Sequence, residues 1–485
     1  MQLKSFLSEN RNIVISVAFL IFNTITILSI FNTEYFDTLD KVVLNLKLLL
    51  LLIGICFAPF FITLKYLKSL SISKLFLIFI ITRILLFSFF TILFYNVETD
   101  TQIWWQSIAE NILKGRLFQP YHDLTFDGIL LDRWRLQPPL IMWWYTLNYI
   151  IYGLNPFTWR LLNLLLELGI IYIMYKIFKE LKVDEKYFKI GLAFYIFSVF
   201  PIFAIGLYAN FVAFPILLGF LGILAYLKSR TNENYIYLSI LFFTLNALSS
   251  YYGAVWLLGL LLLFLFNKKF SLLIVVIVEI VAIFCLICSP LLINDAIGFL
   301  QRLTWILQIS PADEVYTSMW LIDNAFLKYV PALFAVTITA AYVYVNRNKE
   351  IKLEFFIVII SIFFIFTPLV TPYYLFWIVS IICIMIYSFR DFFTTYTFFT
   401  LYFYILILFG AIAILLSNPH TTGWAGILSF MNEAGFTTII QMLGQTFFQI
   451  GLIYLIYSLT KQKKWVYILI IPFIFRYAVF FLIGI

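Results

Sequence analysis

Charged side chains are scarce along this sequence: Asp, Glu, Lys and Arg make up 12% of 485 residues, about half the share in an ordinary soluble domain. That leaves little surface for a separate water-soluble domain. Histidine is rarer still, with two in the chain, and no H-E-x-x-H occurs, which excludes the helix-borne zinc site of many metalloproteases. There is no G-x-x-x-x-G-K-[ST] and no G-x-G-x-x-G, so a phosphate-cradling loop for an ATP-driven pump or a nucleotide-sugar Rossmann domain is disfavoured. The four cysteines, Cys56, Cys285, Cys288 and Cys383, all lie in apolar runs. They read as small buried hydrophobes and imply no disulfide framework.

What is present is apolar and aromatic. Hydrophobic residues reach 64%, with 56 Phe and 31 Tyr. A spanning helix needs roughly 17–25 apolar residues, and fifteen runs suit one: 13–31, 43–63, 75–97, 157–175, 189–207, 211–227, 235–250, 253–266, 270–291, 325–345, 353–371, 374–389, 393–416, 435–459 and 465–485. The pattern predicts an all-α polytopic membrane protein with about 13–15 transmembrane helices. The first run has no small-residue cleavage site after it and reads as a helix rather than a signal peptide.

The formal net charge of +8 has a topological cause. With these spans, most Lys and Arg fall on one side, including the dense stretch Lys176–Lys189, and the acids favour the other. By the positive-inside rule the basic side is cytoplasmic, and no nucleic-acid surface is needed to explain the charge. The alternation holds if Pro138–Gly153 does not span. That segment is short, opens with Pro138 and Pro139, and carries Trp143, Trp144 and Tyr145. Those features suit a helix lying in the outer interface. Two long outer loops remain, at about 98–157 and 292–324, where function concentrates on a compact scaffold.

The first loop opens on Glu98-Thr99-Asp100, two carboxylates at the end of an apolar run. Acids at such a boundary can deprotonate a hydroxyl or hold a cation; they can also simply cap the amphipathic helix that Asp100–Lys114 predicts. Arg133 and Arg135 precede the interfacial helix, Arg160 opens the next span, and Arg302 lies on a second amphipathic stretch, Ala296–Ile309. A guanidinium fork matches phosphate oxygens, and it serves equally as a headgroup anchor. Within the spans, Arg83 is expected to pair with Glu167 or Glu279 at similar depth, either as a structural pair or as the lining of a substrate cavity. Thr371-Pro372-Tyr373-Tyr374-Leu375-Phe376-Trp377 breaks a run at the outer face.

Taken in order, these segments resemble the GT-C superfamily of integral-membrane glycosyltransferases that use polyprenyl-phosphate sugars. Glu98-x-Asp100, followed by Trp104-Trp105, Ala109, Leu113, Gly115 and Pro120-Tyr121, is similar to the acidic first-loop signature, with Glu98 where the family has its first aspartate. Arg135-Leu136-Gln137-Pro138-Pro139-Leu140 is similar to the H/Y-P-P-L element, with Gln137 where His or Tyr stands. Arg160 resembles the arginine at the outer end of the next span, and 371–377 resembles an H-P-Q-Y-F-L-W element of the mannosyltransferase branches. The resemblance implies a GT-C-like catalytic domain over 69–485 with residues 1–68 as an added transmembrane hairpin.

It also implies transfer of a hexose, mannose or glucose, from a dolichyl- or other polyprenyl-phosphate donor to a hydroxyl of a glycan, lipid or protein. The expected chemistry is extracytoplasmic and inverting. Asp100 or Glu98 is the base, and Arg133, Arg135, Gln137, Arg160, Arg302, Tyr373 and Tyr374 bind substrate or phosphate. A divalent cation, Mg or Mn, on Glu98 and Asp100 is compatible but not required. The expected location is the cell membrane, or the endoplasmic reticulum membrane in a eukaryote. The rival expectations are a transporter or flippase of lipid-linked saccharides, which would need the same cavity and arginines, and a non-catalytic scaffold subunit.

Overall fold

The computed structural model describes residues 69–93, 138–153, 155–198, 201–207, 211–306, 330–366 and 449–471, together with 63, 66, 67, 109, 112, 113, 377 and 474. These residues are mostly helical, and no strand occurs among them. The helices are α1 (Ile72–Leu93), α2 (Pro139–Tyr152), α3 (Pro156–Glu180), α4 (Glu185–Phe197), α5 (Ala213–Lys228), α6 (Tyr235–Ser249), α7 (Ala254–Phe266), α8 (Phe270–Ile306), α9 (Val330–Asn346), α10 (Leu353–Phe366) and α11 (Gln449–Thr460). Residues 463–471 are also helical.

Most of these elements fall on the predicted runs. Runs 13–31 and 393–416 lie outside the described residues, as do runs 43–63 and 374–389 apart from Thr63 and Trp377. Among the described residues, two helices, over Phe157–Glu180 and Phe270–Ile293, are long and apolar enough to cross a membrane.

Two runs depart from expectation. The run 189–207 is interrupted: α4 stops at Ser198, and a π-helical turn occupies Ile202–Leu207. Pro201 accounts for the break, because proline has no N–H and disfavours a helical residue before it. The run 270–291 instead continues without a break into the predicted amphipathic stretch, giving a 37-residue helix. Pro290 lies inside α8 and cannot donate to the Leu286 carbonyl. The Ser289 hydroxyl donates to that carbonyl instead, at 3.0 Å.

Two apolar clusters organise the packing. The larger gathers α1, α3–α7, α9, α10, α11 and 463–471 around Trp256, Phe356 and Trp465. Small residues allow the tightest approach. A Cβ at Gly222 of α5 would come 2.8 Å from the Phe243 ring of α6, and one at Gly219 would overlap the Trp256 ring of α7. That ring cannot yield easily, since the Trp256 indole N–H donates to the Phe356 carbonyl at 2.9 Å.

The smaller cluster joins α2 to the first turn of α3 at Trp159, the turn before α5 at Phe211, the end of α6 at Leu248, and Cys288 and Leu291 of α8. Tyr145 stacks on Trp159 at 5.4 Å, Trp144 stacks on Phe214 at 4.4 Å, and Trp143 donates to the Ile287 carbonyl at 3.1 Å. Helix α2 thus meets its neighbours at one end of the bundle. Proline at its first position and Gly153 at its close (φ 60°) bound it.

Cys288 is buried as expected. Cys285 is exposed, because α8 turns a broad apolar face outward: Leu286 is 74% exposed and Ile293 86%.

Candidate functional site

Helices α1 and α3 share a column of polar side chains inside the larger cluster. Arg83 and Glu167 are both fully buried. The Arg83 Nε donates to Glu167 Oε2 at 3.0 Å, Nη2 donates to Oε1 at 3.1 Å, and Nη1 donates to the Ile196 carbonyl at 2.7 Å. The guanidinium also lies 5.0 Å from the centre of the Phe79 ring, and Tyr195 stands beside the carboxylate. The expected choice between Glu167 and Glu279 therefore resolves to Glu167. Glu279 is on α8, where its Oε2 has no hydrogen-bond partner among the described residues.

Two turns along α3, Arg160 is buried as well. Its Nε donates to the Gly206 carbonyl at 2.6 Å, and its Nη1 donates to the Thr91 hydroxyl at 3.1 Å. That hydroxyl in turn donates to the Phe87 carbonyl at 2.7 Å. The two bridges, 83 to 167 and 91 to 160, fix an antiparallel register between α1 and α3.

Both arginines also do something for the broken run. A helix that stops leaves carbonyls without intrahelical partners, and its C-terminal end carries partial negative charge. Arg83 supplies a donor to Ile196 at the close of α4, and Arg160 supplies one to Gly206 in the π-helical turn. The interruption is thus satisfied by cations delivered from two neighbouring helices. Sequence spacing alone held part of this signal: Arg160, Asn163 and Glu167 follow an i, i+3, i+7 pattern on one face of α3, and all three are buried.

Of the expected site residues, Arg160 is the one whose side chain is described. It sits where α1 ends and α3 begins, with Asn155 capping α3 by accepting from the N–H groups of Phe157 and Thr158. Arg302 lies on the last turns of α8. Glu98, Asp100, Arg133, Arg135, Gln137, Tyr373 and Tyr374 lie outside the described residues. Of the predicted helix Asp100–Lys114, residues Ala109, Ile112 and Leu113 are helical. Ala109 is fully buried, and Ile112 packs on the α2 cluster.

Among the described residues, no three His, Cys, Asp or Glu side chains come together as a metal site. The pair expected to take any cation, Glu98 and Asp100, is not among them. Comparison of the chain with protein-family models, with curated proteins and with solved structures finds no match.

Proposed function

We propose that this chain is a multi-pass membrane glycosyltransferase that moves a hexose from a polyprenyl-phosphate donor to an acceptor hydroxyl on the extracytoplasmic side. The membrane reading is supported by α8. Its spanning window is 6% buried within the chain, and exposing each such aliphatic side chain to water rather than lipid costs about 1.5–3 kcal/mol. The end of the bundle that carries Lys182, Lys228, Lys268, Arg347 and Lys461 is the cytoplasmic end. Helix α2 then lies at the outer end as an interfacial helix.

One observation carries the catalytic reading: buried Arg160 is bound to Thr91, next to the end of α1. The acid pair Glu98 and Asp100 follows Leu93, the last residue of α1, by five and seven residues. A fixed cation and two carboxylates at one outer edge suit the two charges of the reaction. The donor phosphate leaves as an anion, neutralised by Arg160 with Arg133, Arg135 and Arg302. Gln137, Tyr373 and Tyr374 hold the sugar and acceptor by hydrogen bonds. Asp100, or Glu98 in its place, takes the acceptor proton as the oxygen attacks the anomeric carbon from the face opposite the phosphate, which inverts that centre. A placed base contributes roughly 10²–10⁴-fold, and positioning with phosphate stabilisation supplies the rest.

The test is incubation of the purified full chain with radiolabelled polyprenyl-phosphate mannose or glucose and a membrane extract. Labelled product with release of polyprenyl phosphate is expected. Asp100→Asn is expected to lower transfer by at least about 10²-fold with unchanged thermal unfolding. Movement of donor across a sealed bilayer with no product would favour a flippase. Full transfer by Asp100→Asn, Glu98→Gln and the double variant would remove the acids from the chemistry.

A further inference from the structure

We propose that the basic end of the bundle carries a site for the phosphate of an anionic phospholipid, in a cavity of about 380 Å³ between the ends of α5 and α7 and the connection from α9 to α10. Four cations line it, Arg230, Lys269, Arg347 and Lys349, against one acid, Glu350. The arginines are held in place. Arg230 pairs with Glu350 Oε1 at 2.7 Å and donates to the Ile351 carbonyl. Arg347 donates to the Tyr344 carbonyl at 2.7 Å with its guanidinium 3.9 Å from the Tyr344 ring centre, and its own carbonyl accepts from Asn267 Nδ2 at 3.2 Å. Lys269 follows a turn closed by its backbone N–H on the Phe264 carbonyl at 2.9 Å. Neither Lys269 nor Lys349 has an ion-pair partner among the described residues.

One carboxylate leaves three positive charges facing a volume that is small but adequate for a headgroup. Basic residues at a cytoplasmic edge need only the positive-inside rule to explain them. A cavity that concentrates them on fixed guanidinium groups goes further, because it converges donors on one anion.

The surroundings select a lipid over free phosphate. Tyr344, whose ring lies 5.4 Å from Phe266, is half exposed, as are Leu265, Val345 and Phe270 at the same end of the bundle. A phosphate seated in the cavity would run its acyl chains along these side chains. This inference rests on the membrane reading given above, though not on the transferase chemistry.

The test uses the full chain in lipid nanodiscs of phosphatidylcholine alone or with phosphatidylglycerol, read by native mass spectrometry after detergent extraction and by thermal unfolding. Inorganic phosphate is titrated in parallel. Phosphatidylglycerol is expected to stay bound and to raise the unfolding midpoint. The double variant Lys269→Gln, Lys349→Gln is expected to lose about tenfold or more in retention, given about 1 kcal/mol per cation near an anionic headgroup. Lys179→Gln with Lys186→Gln, which removes equal charge elsewhere on the same end, is expected to retain it. Equal retention by both double variants would overturn the site. An equal rise in midpoint with inorganic phosphate alone would assign the cavity to a soluble anion and overturn the lipid. Recovery of the chain in the aqueous phase without detergent would overturn the membrane reading, and this site with it.

Discussion

Arg83 and Glu167 are two charges sealed among Phe and Ile side chains, so each depends on the other. Removing one partner of such a pair leaves a buried charge and typically costs about 3–5 kcal/mol, whereas an apolar pair of similar volume is often neutral. Arg83→Leu and Glu167→Leu are each expected to lower the unfolding midpoint sharply, and the double variant to recover most of the loss. Thermal unfolding of the three proteins in detergent checks this. Asp184 offers a pH test at a solvated position. It caps α4 by accepting from the Lys186 backbone N–H at 3.0 Å, and that bond holds its carboxyl below the usual 3.8. A depressed carboxyl stabilises the fold above its unfolded value and stops doing so as pH falls through its folded one. The stability gap between the native chain and Asp184→Ala is therefore expected to be constant above about pH 5 and to shrink below about pH 4. The sequence showed that Arg83 needed a partner. It did not choose between Glu167 and Glu279, because depth along a span is readable from sequence and which helix packs on which is not.

At the scale of elements, three helices end on a lysine with positive φ: Lys182 at 54°, Lys268 at 56° and Lys461 at 54°. After α3 and α7 the turn closes by bonds from Val183 to the Phe178 carbonyl and from Lys269 to the Phe264 carbonyl, at 3.1 and 2.9 Å. Glycine is the usual residue there, since a side chain in the left-handed region costs about 1 kcal/mol. Lys182→Gly is expected to raise stability by about that amount, as urea or thermal unfolding would show. Gly219→Ala is expected to cost about 1–3 kcal/mol through overpacking, because Trp256 is tethered to α10. Helix positions were largely legible from apolar run length. Run length read 189–207 as one span and passed over Pro201, the residue that accounts for its interruption, and nothing in the sequence marked the π-helical turn that lets Gly206 meet Arg160. The continuity of α8 was obscured for another reason: its second half is amphipathic and its first uniformly apolar, so one helix reads as two.

Across the described residues, the helix ends sort into an edge rich in lysine and an edge that carries α2 and Arg160. Single cysteines placed at Asn155 and Asn232 in a cysteine-free background are expected to label from opposite sides of a sealed membrane. Labelling from the same side would break the alternation on which the proposed extracytoplasmic side for Glu98 and Asp100 depends. Less of the candidate site than of the bundle was legible in the sequence. Arg160 and, from the predicted helix after the acids, buried Ala109 and partly buried Ile112 are among the described residues; Glu98 and Asp100 lie outside them.

The length of α8 has its own mechanical consequence. Residue 302 lies twelve residues beyond Pro290, a rise of about 18 Å. A change in bend of about 10° at that proline would sweep residue 302 through about 3 Å, comparable to one hydrogen-bond length. The far arm of α8 is thus a lever, and the angle at its fulcrum sets where residue 302 lies.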